Sequence, residues 1–469
     1  MKPDWLKPAL DYIPRWMEFQ MEAWQRPGCV IAIARHGRII FEQAFGVASL
    51  KTGEKLTPRH RFRVASHSKS YTAAGILKLR EQGRLKLDDS IGQHLPGRLH
   101  KATARVTLQQ LLSHSAGLRR DGRDSGYFAD TRPFPTAEEV LRDLEGAPLI
   151  EPNTRFKYSN LGYALLGLVI EQITGQRYAD WMTAEILRPL GLDETLPDMP
   201  ARRSAKRGGA LPKPGLMHGH SGRLLLGRRV VIPCDQPLHA LAPVGGFVAT
   251  ASDLALFYNH LSPDAKRSVI SIDSRRELMR KQWSVPHSSM GGEYGLGTII
   301  GRFNGWEWFG HTGGLQGFIS RAICVPSQGL SIAVLCNSLD GLNGPWVDGI
   351  LQILQTFAQR GAARGRTDGW SGRWWGLWGA CDLVPMGDRV LVAGPGFMMP
   401  FSDASEIAVT GRNTGRIVLA NGYGSHGESV ELKRDARGKV TEVSFAGGKM
   451  TSRAKMAAEI SKRYEGKKR

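Results

Sequence analysis

Two rhythms of apolar and polar positions run along this chain. Residues 28–48, GCVIAIARHGRIIFEQAFGVA, hold two β-rich runs on either side of RHGR, and Gly37 suits the turn, so the stretch predicts a hairpin. A polar loop, KTGEKLTPRHRF, follows. From Ser66 to Arg80 the residues are good helix formers and Gly83 is the expected stop. VTLQQLLSHSAGL (106–118) predicts a short helix that begins after Thr107 and ends near Gly117. Residues 159–187 predict two helices with Gly175 between them and Pro189 beyond. The region 198–243 is rich in Gly, Pro and Arg and has no clear period, which is long for a loop. GGFVATASDLALFYNHL (245–261) predicts a glycine turn, an N-cap at Thr250 or Ser252, and a helix. Four runs from 294 to 337 (YGLGTIIGRF, WEWFGHTGG, FISRAICVP, LSIAVLCNS) predict an antiparallel sheet, and GPWVDGILQILQTFAQ a closing helix. Strands at both ends of this region and helices in the middle define an α+β arrangement.

Beyond residue 360 the pattern changes. RGAARGRTDGWSG (360–372) has the composition of a linker. After it, RVLVAG, EIAVTG, RIVLANG, SVELKRD and VTEVSFAG alternate with Gly, Asp and Asn turns, an all-β pattern that fits a small barrel or sandwich. The expected division is therefore a first domain over 1–359, a linker over 360–372, and an all-β domain over 373–469 ending in a basic tail.

Composition narrows the classes. With 469 residues and 41% hydrophobic content the chain can bury a large core and a second domain. No apolar run reaches the roughly 18 to 20 residues of a membrane helix. The start, MKPDWLKPALDYIPRWMEFQMEAW, has neither an apolar h-region nor a small-residue cleavage site, so no signal peptide is expected and the cytoplasm is the default location. The five cysteines, Cys29, Cys234, Cys324, Cys336 and Cys381, form no CxxC pair and are expected as free thiols rather than a disulfide framework or zinc site. HGHSG (218–222) is the close histidine pair, and no further ligand pattern follows it, so neither metal nor cofactor is expected. The formal charge of +20 invites a nucleic-acid reading, but the basic clusters at 201–209, 359–366 and 453–469 fall in loop, linker and tail. The expected partner is a small molecule or short peptide, with no nucleic acid and no membrane; the sequence does not speak to oligomeric state.

The chemistry lies in three short motifs. Ser66 and Lys69 form S-x-x-K, which on a helix puts both side chains on one face. A desolvated lysine there can act as base for the hydroxyl, and a serine at a helix N-terminus offers its own N–H to an oxyanion. The alternative is an N-cap serine. His67 points elsewhere, and Ser68 is a solvent or packing serine. A second S-x-x-K, Ser452 to Lys455, sits in the basic tail and counts as accidental. Tyr158 and Asn160 form Y-x-N, where a tyrosine can relay a proton and an amide can hold both a lysine and a substrate carbonyl. His311, Thr312 and Gly313 form H-T-G at a strand end, with Gly314 beyond, and the glycine pair admits close approach of a substrate. The plainer readings are a rim aromatic, a cap and a strand turn.

As an ordered set, S-x-x-K, Y-x-N and H-T-G resemble the motifs of the serine penicillin-recognising enzymes, and within them the class C β-lactamase-related family with its D-aminopeptidases and family VIII esterases. GRIIFEQAFGVA, LREQGRLKLDDSIGQHLP, PNTRFKYSNLGYALLG and FGHTGGLQGF extend the resemblance over residues 20 to 360. The C-terminal part is similar to the lipocalin-like β-domain of some peptidases of that family. The resemblance implies a β-lactamase/transpeptidase-like fold and an acyl-enzyme mechanism. In it Ser66 attacks a carbonyl, Lys69 and Tyr158 manage its proton, the N–H groups of Ser66 and Gly314 form the oxyanion hole, and Asn160 with the strand at 311–314 holds the substrate. Whether lysine or tyrosine is the base stays open. One departure stands out: related enzymes carry lysine where this chain has His311, which is mostly neutral near pH 7. Weaker attraction for β-lactam carboxylates is expected, and peptides, amides or esters are the expected substrates. GYGSHG (422–427) only approximates a nucleophile elbow and fits a hairpin turn.

Overall fold

The structure is a computed structural model that describes residues 4–200, 215–285, 292–421 and 424–465. The basic cluster at 201–209 and residues Gly422 and Tyr423 of GYGSHG therefore lie outside the described residues. The chain divides into two compact units, Arg26–Val347 and Met1–Gln25 with Asp348–Arg469.

The larger unit is built on an eight-stranded antiparallel sheet. Its strands in chain order are β1 (Gly28–Arg35), β2 (Arg38–Gly46), β3 (Trp283–Val285), β4 (Gly292–Tyr294), β5 (Ile299–Phe303), β6 (Trp306–Leu315), β7 (Phe318–Val325) and β8 (Leu330–Cys336). Their spatial order is β2-β1-β8-β7-β6-β5-β4-β3. The predicted hairpin is β1–β2, turned at His36 and Gly37, both with positive φ. β1 and β8 pair one strand in from the β2 edge, Ile31 opposite Val334 and Ala32 opposite Ala333, and their apolar runs are buried throughout. The first and last strands of the unit thus lie side by side, and the helical region is inserted between β2 and β3, as the α+β pattern requires.

The helices start and stop where local chemistry says. Thr107 caps Leu108–Leu112 by accepting from Gln110 N, in a capping box. That helix stops earlier than the pattern suggests, because His114 and Gly117 take left-handed backbone. Asn160–Thr174 begins at Ser159 and ends at left-handed Gly175. Thr250 caps Ala251–His260, which packs on β1, β7 and β8. Ser68–Glu81 is buried on nearly every side, and its Tyr71 is stacked between Phe247 (ring centroids 4.3 Å apart) and Phe257 (3.6 Å).

The smaller unit is a closed barrel of eight antiparallel strands between Gly372 and Thr451, in simple up-and-down order. Trp375 opposite Thr451 closes it, and Trp370, Val390, Ile407, Ile417 and Val430 fill it. Two sequence expectations need correction. The N-terminal residues belong to this unit, not to the one before it: Leu6–Trp24 is a helix despite Pro14, and Tyr12, Ile13, Trp16 and Met17 form its buried stripe. Tyr12 donates to Asp382 (3.0 Å), Trp16 to the carbonyl of Phe397 (3.1 Å) and Gln20 to that of Pro395 (2.7 Å). Residues 360–372 are also no free linker, since Thr367 and Trp370 are buried and Gly372 starts the first strand. The second S-x-x-K serine, Ser452, is the N-cap of the helix Arg453–Tyr464 and accepts from Lys455 N. No helix among the described residues is long and apolar enough to cross a membrane.

Candidate active site

Ser66 is not an N-cap. It sits in a single 3₁₀ turn, Ala65–His67, that precedes the helix Ser68–Glu81. Ala65 has φ +52°, a conformation that costs a non-glycine residue about 1–2 kcal/mol. Ser68 fastens the turn: its Oγ donates to the Ala65 carbonyl (2.6 Å) and accepts from Phe247 N (3.1 Å). Ser68 is thus a buried latch rather than a solvent serine. His67 is fully buried with Tyr258 OH 2.9 Å from its Nδ1 and stays out of the site.

The Ser66 hydroxyl stands at the meeting point of two predicted groups. Lys69 Nζ is 3.1 Å from Ser66 Oγ and donates to the Val244 carbonyl at 3.0 Å. Tyr158 OH donates to Ser66 Oγ at 3.0 Å. Lys69 has no solvent exposure, and its hydrogen bonds go to neutral oxygens. Burial holds its ammonium well below the usual lysine range, against a small opposing pull from Asp121. Burial pushes the Tyr158 phenol above its ordinary value, with the bond to Ser66 opposing. Burial thus favours the neutral amine of Lys69 and the protonated phenol of Tyr158 around one hydroxyl.

β6 carries the third motif past this turn. A Cβ on Gly313 would lie 2.1 Å from the Val64 carbonyl oxygen, so only glycine lets the strand run this close to the nucleophile's turn. Gly313 packs there, while His311, Thr312 and Gly314 line a cavity of about 920 Å³ together with Ser66, Tyr158 and Asn160. His311 is buried. Its Nε2 lies 3.1 Å from Tyr294 OH, and its Nδ1 lies 2.7 Å from the Thr312 carbonyl oxygen and 3.0 Å from Thr312 N. Burial, with help from Lys69, pushes its pKa down to about 3. No fixed positive charge stands at this position.

Several site residues escaped the sequence. His114 packs under the Tyr158 ring (centroids 4.1 Å apart), accepts from Ser159 N (3.1 Å), and is held neutral by burial. Tyr294 positions His311. Asp121 accepts from Asn160 Nδ2 and pairs with Arg120 at 2.9 Å. None of the three falls in a motif: His114 lies in a stretch that the pattern assigns to the end of a helix but that is a loop, Asp121 lies in a loop, and Tyr294 ends a short strand. His220, of the histidine pair, has its ring nitrogens engaged by Asn337 O (2.8 Å) and Leu50 N (3.2 Å) in a structural role.

An S-x-x-K serine at the start of a buried helix, facing a Y-x-N tyrosine and an inner strand, on an antiparallel sheet with an inserted helical region, defines the class of active-site-serine, penicillin-recognising proteins. Residues 13–353 match the profile of the Beta-lactamase family, and the chain belongs to that family of serine hydrolases. It is 27% identical over 349 residues to the protein flp of Staphylococcus aureus (strain COL), an alignment covering 72% of this chain; the chain spans 64% of that relative's length. Its fold superposes on that of the octameric penicillin-binding protein homologue from Pyrococcus abyssi with a TM-score of 0.65 at 23% identity, covering 94% of this chain and 99% of that one, barrel included. It is also similar to a D-stereospecific amidohydrolase from Streptomyces sp. (TM-score 0.54, 26% identity, 67% and 90% covered).

Proposed function

We propose that the protein hydrolyses small amides, short peptides or esters through an acyl-enzyme on Ser66. Lys69, neutral in its buried site, takes the hydroxyl proton as Ser66 Oγ bonds to the substrate carbonyl carbon. The Ser66 and Gly314 N–H groups receive the charge that develops on the carbonyl oxygen. Tyr158, which keeps its proton, hands it to the leaving amine or alkoxide as the scissile bond breaks, and Lys69 returns its proton to Tyr158. Water then attacks the ester by the reverse proton path and frees Ser66. The observation that carries this reading is the pair of contacts on Ser66 Oγ, 3.1 Å from Lys69 Nζ and 3.0 Å from Tyr158 OH. It also favours lysine as base, because nothing cationic at position 311 supports a tyrosinate.

The neutral His311 argues against substrates that need a fixed cation for a carboxylate, such as penicillins. The likeness to a D-stereospecific amidohydrolase favours amides of amino acids, D-configured ones among them. The test pairs labelling with turnover. A fluorophosphonate probe is expected to label the wild type and not Ser66→Ala, and the wild type is expected to turn over p-nitrophenyl acetate and an aminoacyl p-nitroanilide. Absence of both labelling and turnover would leave a non-catalytic binding protein; labelling that survives Ser66→Ala would move the nucleophile elsewhere.

A further inference from the structure

Three leucines stand in water at the tip of a hairpin whose base is firmly fastened. Within the larger unit Gly219–His220 pairs with Val231–Ile232. Ser221 N donates to the Val230 carbonyl (2.9 Å) and Val230 N to Ser221 Oγ (3.1 Å), which extends the hairpin. The base rests on the turn between β6 and β7, where a Cβ on Gly219 would lie 2.7 Å from the Gln316 carbonyl oxygen. Asp340 ties both shoulders: it accepts from Arg223 N (3.1 Å) and pairs with the Arg229 guanidinium (2.8 Å), with Arg26 also bound to it (2.7 Å). What projects beyond is residues 224–228, turned by left-handed Gly227. There Leu224 is 97% exposed, Leu225 91% and Leu226 55%.

Single surface leucines are ordinary, but three in succession on a fastened turn make one contiguous apolar point. Such a point can enter the boundary between headgroups and acyl chains while arginines beside it stay among the phosphates. Arg223 and Arg228 flank the leucines and both are exposed. The carboxylate at the shoulders, Asp340, is already matched by Arg26 and Arg229, and the whole chain carries a formal charge of +20. A second copy would bring the same arginines and the same net charge and be repelled, whereas an anionic bilayer is attracted. A tip of three side chains also falls far short of the roughly 800 Å² per partner of a stable protein interface, while a fluid bilayer asks for no matching shape.

We infer that the hairpin tip at residues 224–228 is a peripheral docking point for an anionic lipid bilayer. Leu224, Leu225 and Leu226 enter the headgroup and acyl boundary, and Arg228 meets the lipid phosphates. The expectation of no membrane partner came from a chain without a spanning run; docking by a tip makes no demand on run length. It is also independent of the acyl-enzyme chemistry of Ser66.

Co-sedimentation of the full chain with vesicles tests this, with phosphatidylcholine alone and with phosphatidylcholine mixed equally with phosphatidylglycerol, at low and at high salt. The wild type should partition onto the mixed vesicles at least about tenfold more strongly than onto the neutral ones, given about fivefold per arginine at an anionic surface, and salt should weaken the difference. The double variant Leu224→Ser, Leu225→Ser keeps every charge and should melt like the wild type, because both side chains already stand in water. It should lose at least about tenfold in partition, a modest share of two leucine transfers. Arg228→Glu should lose about tenfold on the mixed vesicles and leave binding to the neutral ones unchanged. An environment-sensitive fluorophore on Leu225→Cys should shift to shorter wavelength with the mixed vesicles, read against equally treated wild type, whose cysteines are buried or half-buried. A wild type that stays in solution with the mixed vesicles overturns the inference. So does a leucine double variant that binds as well as the wild type, which would mean general attraction of a basic chain, and so does a bound chain whose fluorophore does not shift. Loss of self-association instead of vesicle binding in the double variant would assign the tip to a second copy and likewise overturn it.

Discussion

Replacing His311 by glutamine tests the electrostatics of the site most directly. His311 is 3% exposed and burial holds its pKa at about 3, whereas in the unfolded chain it titrates near 6.5. Between those values the unfolded state binds a proton that the folded state refuses, so stability is present above the unfolded value and is lost as pH falls. At pH 5 the loss from this residue comes to about 2 kcal/mol relative to pH 7, since each pH step below the unfolded pKa adds about 1.4 kcal/mol. His67 and His114 are shifted the same way and deepen the acid lability, but they are common to both proteins. His311→Gln removes only the one titration. Its absolute stability at pH 7 can fall, because the bonds to Tyr294 and Thr312 change, but its loss between pH 7 and pH 5 should be smaller than that of the wild type by about 2 kcal/mol. Urea titrations at the two pH values, read by hydrogen-exchange protection of peptides from Trp306–Leu315, report the opening of β6 itself rather than of the barrel. Equal losses in the two proteins would refute the argument and mean that His311 carries a proton in the folded state.

Two further perturbations address the turn and the base. Lys69→Met should lower kcat/KM by about 10²–10⁴, the range for loss of a positioned general base. Because burial lowers the Lys69 pKa in the fold below its unfolded value, wild-type stability should climb with pH toward the unfolded lysine value near 10.4, and the methionine variant should lack that part of the climb in a pH series of melts. Gly313→Ala drives a methyl group into the Val64 carbonyl and should cost about 1–3 kcal/mol in thermal unfolding, whereas Gly314→Ala, whose methyl would meet nothing closer than Ile319 at 3.9 Å, should unfold like the wild type.

What the sequence reveals and what it conceals have one physical origin. Thr107, Ser159, Thr250 and Gly175 act on backbone groups within a few residues of themselves, so the helix ends they mark can be read locally. The runs of the central strands are likewise long enough to show their period. The N-terminal helix was hidden because Pro14 and scattered charges interrupt a stripe that only packing completes. The first barrel strand, Gly372–Gly376, is too short and too rich in glycine and tryptophan to show a period, and its first residue falls at the end of the expected linker. At the site, the three motifs supply residue types in the right order, and the structure brings Ser66, Lys69 and Tyr158 within hydrogen-bond reach. The left-handed Ala65 and the Ser68 latch that aim the hydroxyl leave no trace in spacing, since they depend on Phe247 far along the chain.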